Sequence, residues 1–151
     1  VADACDLSSR PPAPDTNPAD DEIAAILRST KRIAVVGLSN KPDRASYDVG
    51  RYLLGAGYGI VPVHPNIAVW EGIPAVKRLA DVTGPVDLVD LFLNADRVAD
   101  VVDEIVAAAP KVAWLQLGVV NNEAAVRLRA AGIVVVQDRC VKIEHRRLLT
   151  P

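Results

Sequence analysis

Five short apolar runs, spaced by segments of helical length, restrict this chain to a narrow set of architectures. They lie at residues 31–37 (KRIAVVG), 59–63 (GIVPV), 86–93 (VDLVDLFL), 112–117 (VAWLQL) and 133–136 (IVVV). The runs are nearly continuous rather than alternating, as in strands covered on both faces, and such strands belong to parallel sheets with helices on either side. The intervening segments read as helices at about 46–56, closed by Gly57, at about 96–109, and from Asn121 or Asn122 to Ala131, closed by Gly132. Their lengths suit right-handed crossovers. The expectation is an α/β protein: a three-layer, Rossmann-like, doubly wound parallel sheet in a single domain, residues 19–151. Aromatics make up only 4% of the 151 residues while half the chain is hydrophobic, which favours close helix-on-sheet packing over an aromatic-layered sandwich.

The remaining segments are weaker in pattern. Residues 1–18 carry Pro11, Pro12, Pro14 and Pro18 and read as a flexible tail. Asp20 or Asp21 is placed to cap a short helix with Ile23, Ile26 and Leu27 on its apolar side. Residues 66–76 are interrupted by Gly72 and Pro74, leaving room only for a short edge strand near Val76, followed by a helical turn at 77–82. Residues 140–149 read as a short basic surface helix.

Charge and cysteine content narrow the function. A net charge of −2 gives no electrostatic drive toward nucleic acid or an anionic membrane, so an anion must be held locally. No run approaches the roughly 18 apolar residues of a membrane span, and the first residues lack a signal-peptide pattern. Cys5 and Cys140 read as free thiols of a reducing compartment, and a cytoplasmic location is expected. Two histidines and two scattered cysteines make no metal-ligand set.

In doubly wound sheets a ligand sits beyond the carboxyl ends of the strands, where strand order reverses. Three loops are therefore of interest: after Gly37, after Val63 and after Leu93, with Gly118 nearby. In the first, Gly37 and Leu38 offer backbone, Ser39 and Ser46 offer hydroxyls, the following helix offers free N–H groups, and Lys41 and Arg44 offer charge to a phosphate. The dinucleotide glycine repeat is absent, and the second strand ends in Pro62-Val63-His64-Pro65 rather than an acid, so an NAD(P)-linked role is disfavoured. The prolines stiffen a wall suited to a flat base, and His64 is a ligand contact or, less favoured, a base. Along their strand Trp114 and Gln116 share a face, with Gln116 the better site residue. Asp90, inside a buried strand, is expected to find a hydrogen-bond partner. Cys140 and His145 lie about 140° apart around a helix, which argues against a direct Cys–His pair.

At these residues the chain resembles the small bacterial CoA-binding proteins, the YccU-like stand-alone domains. The likeness runs from about Ala25 to Leu149. It is carried by Gly37-Leu38-Ser39 with Lys41-Pro42-Asp43-Arg44 and Ser46-Tyr47, by Gly57-Tyr58 through Val61-Pro62-Val63-His64-Pro65, by Val86-Asp87-Leu88-Val89-Asp90-Leu91-Phe92, by Trp114-Leu115-Gln116-Leu117-Gly118, and by Asp138-Arg139-Cys140 with Lys142 and Glu144-His145. That family is similar to the CoA-binding domain of the succinyl-CoA synthetase α subunit. The resemblance implies coenzyme A or an acyl-CoA as ligand, with contacts extending to Tyr47, Val63, Phe92, Leu93 and Gly118. The phosphohistidine domain of such ligases is not expected within these 151 residues. Two positions depart from the family pattern: His64 stands for its usual asparagine and Leu93 for its usual arginine, a lost phosphate contact that Lys41, Arg44 and Arg97 are placed to offset. The expected function is CoA binding without catalytic residues. Acyl or phosphoryl transfer through Cys140, His145 or His64 is the alternative, and a homo-oligomer or an unidentified protein partner is left open.

Overall fold

The computed structural model describes residues 17–149; of the tail expected at 1–18, residues 1–16 lie outside them. Seven strands follow in chain order: β1 (Arg32–Val36), β2 (Gly59–Val63), β3 (Val69–Trp70), β4 (Ile73–Pro74), β5 (Leu88–Leu91), β6 (Val112–Leu115) and β7 (Val134–Val136). Five of them form one parallel sheet in the order β2-β1-β5-β6-β7, so the direction of winding reverses between β1 and β5. The protein is thus the Rossmann-like α/β domain that the apolar runs predict.

The two sheet faces sort by the period-two rule. Five helices cover them: α1 (Asp20–Ser29), α2 (Ala45–Gly55), α3 (Val102–Ala108), α4 (Asn122–Ala130) and α5 (Val141–Leu149). Ala34 and Val36 of β1 join the layer under α3 and α4, with Val98, Ile105 and Leu128. Ile33 and Val35 face the other layer, made by α1, α2 and α5, with Leu27, Leu53 and Trp114. A one-residue slip would exchange these faces, so the register Ile33↔Ile60 and Ile33↔Leu88 is fixed by burial on both sides.

Helix ends follow local chemistry. After α2 the Gly57 N–H donates to the Leu54 carbonyl at 3.1 Å and the Tyr58 N–H to Leu53 at 3.2 Å, a Schellman closure that needs the φ of +102° adopted by Gly57. Gly132 closes α4 in the same way. Asn121 is the N-cap of α4, its side chain accepting from the Ala124 N–H at 3.0 Å. For α1 the cap is Ala19 rather than Asp20 or Asp21; the two acids lie inside the first turn, where they oppose the helix dipole.

Several boundaries differ from the sequence expectation. Residues 95–101 form a 3-10 helix before α3 instead of one continuous helix, because Ala95, Val98 and Val101 recur at three-residue spacing. The run at 86–93 is shortened to Leu88–Leu91, with Phe92 N–H still donating to Val36 O. Gly72 and Pro74 do not merely interrupt their segment: β3 and β4 pair there as an antiparallel hairpin, turning through Glu71 and Gly72 at positive φ. Val76 makes only an isolated parallel bridge to Val63. Among the described residues no helix is long and apolar enough to cross a membrane.

Candidate functional site

Because winding reverses between β1 and β5, the loops leaving these neighbours diverge and open a crevice at their carboxyl ends. The floor is tight. Gly37 has φ +86°, donates its N–H to Val63 O at 2.8 Å, and would place a Cβ 2.4 Å from the Phe92 carbonyl oxygen. The need for glycine therefore arises from the adjoining β5 loop, whatever a ligand adds.

Three cavities meet at Phe92. The first, about 620 Å³, is lined by Gly37, Ser39, Lys41, Arg44, Ser46 and His64 among others. A second, about 530 Å³, shares Gly37, His64 and Phe92 with it and adds Val63, Pro65 and Leu93. The third, about 410 Å³, shares Ala45 and Phe92 with the first and takes in Leu93, Gln116 and Cys140. The structure thus gathers eleven of the fourteen residues expected at the site around three adjoining cavities at the strand ends. Leu38, Tyr47 and Gly118 are not among its lining. Leu38 is fully buried in the layer under α2, and the Tyr47 hydroxyl donates to Glu71 of the hairpin turn. Gly118 occupies a turn in which Val119 N–H reaches Gln116 O, and its own N–H donates to Asp138 at 2.7 Å.

The first loop is shaped by its own serines. The Ser39 N–H donates to Ser46 Oγ at 2.9 Å, the Lys41 N–H donates to Ser39 Oγ at 3.1 Å, and Trp70 of β3 donates its indole N–H to Ser39 O at 3.1 Å. Two consequences follow for charge. The N-cap of α2 is Arg44, which makes no side-chain cap, so the first-turn N–H groups at the cavity wall are open to an anion. Lys41 and Arg44 are exposed and have no ion pair among the described residues. Arg97, at the second cavity, is paired with Asp100 at 3.3 Å, with both side chains about two-thirds exposed, a weak pair that an anion can displace. His64, in the lining of the first two cavities, accepts the Asn66 N–H at Nδ1, 3.0 Å away, which leaves Nε2 as its donor.

Gln116 also anchors the start of α5, where its Oε1 accepts the Val141 N–H at 3.2 Å. Cys140 and His145 open on different cavities, the thiol on the third and the imidazole on a separate one beside Tyr52, whose hydroxyl lies 2.7 Å from Nδ1. Burial holds His145 below the usual histidine range. Asp90, aligned with Val35 and Trp114 two residues before Phe92, overturns the expectation of a partner: it is fully buried and neither oxygen has one among the described residues. Burial pushes its carboxyl well above the usual carboxylate range, favouring the protonated form.

Sequence reasoning missed Asn40, Asn66, Ile67, Asn94 and Lys77. Asn66 and Asn94 each follow a strand closely enough to fall within reach of the strand-end rule. Lys77 had no local signal, since only the Val63–Val76 bridge brings it near.

The model of the CoA binding domain family matches residues 31–146. An uncharacterized protein of Bacillus subtilis, YneT, is 42% identical over 129 residues, covering 85% of this chain and 96% of its own length. Among solved structures, cell-free ID.343 from Thermus thermophilus is 40% identical with a TM-score of 0.84, covering 87% of this chain and all of its own. A hypothetical protein from Pyrococcus horikoshii is 34% identical with a TM-score of 0.86, covering 93% of this chain and 99% of its own. A family match over most of the chain, relatives of nearly equal length and one shared fold lead to a single assignment: the chain belongs to the CoA binding domain family.

Proposed function

We propose that the protein binds coenzyme A or an acyl-CoA across the strand-end crevice, as a cytoplasmic binding module with no chemistry of its own. One observation carries the reading: two cations without ion partners among the described residues and an uncapped helix N-terminus converge on a single cavity at the sheet's reversal point. Each is a group that phosphate satisfies. Coenzyme A brings a diphosphate and a 3′-phosphate, and the family assignment supplies the ligand class. In this reading Lys41, Arg44, Ser39 and Ser46 meet phosphate, while Val63, His64 and Pro65 border the base. Leu93 contributes apolar contact where an arginine would have held an anion, and the Lys41–Arg44 pair carries that charge instead.

Thermal unfolding with added CoA tests the proposal. Ligand at 100 times its Kd adds about 2.7 kcal/mol of stability. An unchanged melting temperature at millimolar CoA overturns it.

Acyl transfer through Cys140 has one observation in its favour, the thiol's place on the third cavity wall. Intact-mass spectrometry after incubation with acetyl-CoA decides it: an acetyl adduct lost in Cys140→Ala supports transfer, and an unmodified chain removes it.

A further inference from the structure

Resting on the CoA reading, we infer that the third cavity receives the acyl end of an acyl-CoA, making the thioester rather than free CoA the preferred ligand. The cavities divide by chemistry. The first holds Lys41 and Arg44; the third has no charged residue in its lining and is walled by Val49, Phe92, Leu93, Val119 and Ile143. A polyanion finds no charge there to pair with, whereas an apolar group finds apolar walls to bury against. Of the polar side chains in the lining, Asn94, Gln116 and Cys140, Gln116 already accepts the Val141 N–H at Oε1.

Continuity fixes the occupant. The two cavities share Ala45 and Phe92 in their walls, so the pantetheine arm of a CoA whose phosphates sit at Lys41 and Arg44 starts beside the apolar compartment and can carry the thioester into it. At the rim, Leu117 is 64% exposed and Ile143 52% exposed, two of the few large apolar side chains that the described surface leaves in water. An acyl chain lying between them is covered on both sides. At about 410 Å³ the compartment is of a size that small-ligand groups fill. A molecule anionic at one end and aliphatic at the other matches the pair; free CoA leaves the rim wet.

The test is calorimetric titration of the full chain with CoA and with butyryl-, hexanoyl- and octanoyl-CoA. Each methylene that enters the cavity tightens binding by about two- to fourfold. Leu117→Asp and Ile143→Asp, both at exposed positions, bring the octanoyl-CoA to CoA affinity ratio close to one, with melting curves confirming that the variants fold. In a Cys5→Ser background, octanoyl-CoA slows iodoacetamide alkylation of Cys140 more than CoA does at equal saturation. Measurable CoA binding with a flat chain-length series overturns the inference and leaves the CoA reading standing. Chain-length gains that survive both aspartate variants also overturn it, by placing the acyl group elsewhere. A flat series with a dimer broken by the aspartates makes the cavity an interface between copies and overturns it too. Failure of every ligand to bind removes the CoA reading itself.

Discussion

Gly37 and Asp90 lie close together on the β1–β5 seam, where Asp90 is aligned with Val35, and they are constrained in opposite ways. Gly37 must have no side chain, since a Cβ would stand 2.4 Å from a backbone oxygen that cannot rotate away. Gly37→Ala, strained in φ as well, should cost about 2 kcal/mol or more in urea denaturation; a loss under about 0.5 kcal/mol would show that the two loops yield freely. Burial raises the pKa of the Asp90 carboxyl. Its folded-state pKa lies above the unfolded one, so its contribution is complete below the unfolded value near 3.9 and is lost as pH rises through the folded value. Between those limits the native protein should lose about 1.4 kcal/mol per pH unit relative to Asp90→Asn. Parallel stability curves for the two proteins would show that the carboxyl is ionised when folded. The burial of Asp90 was legible in its apolar run; its lack of a partner was not, because partners come from other elements.

At the scale of elements, α2 is the hub. It begins at the crevice with Arg44 as its N-cap, carries Tyr47 against the β3–β4 hairpin, and meets α5 through Lys142–Asp48 at 2.7 Å and the Tyr52–His145 contact. Burial lowers the His145 pKa, so its stabilising effect is present above the unfolded value near 6.5 and disappears as pH falls through the folded one. Native protein should therefore gain stability over His145→Gln as pH rises from about 5 to about 7, read by chemical denaturation at each pH; a constant difference would show that the ring is not desolvated. Helix ends were readable wherever glycine and asparagine set them, as at Gly57, Gly132 and Asn121. The hairpin was not, since two-residue strands carry no periodicity, yet its Trp70 holds the first loop through Ser39.

For the whole molecule, the cavities at the strand ends differ in lining, one with Lys41 and Arg44 and another without charged residues. Arg44→Ala should weaken CoA about tenfold or more, the worth of one charge-assisted hydrogen bond, and adenosine far less. Equal loss for both ligands would take Arg44 off the phosphate. Lys41→Ala should behave likewise and reduce the salt dependence of binding. The apolar runs, their spacing and their glycine stops determined by themselves that this chain is a parallel sheet between two helical layers, because strands buried on both faces can be satisfied in few other ways. The cations of the first loop were also visible, being near neighbours in sequence. Strand order was decided only by the tertiary structure, and with it the meeting of three cavities at Phe92, the clash that fixes Gly37, and the arrival of Cys140 and Ile143 beside Leu93. Periodicity records which face of an element is buried, whereas adjacency between distant elements depends on which crossovers pack.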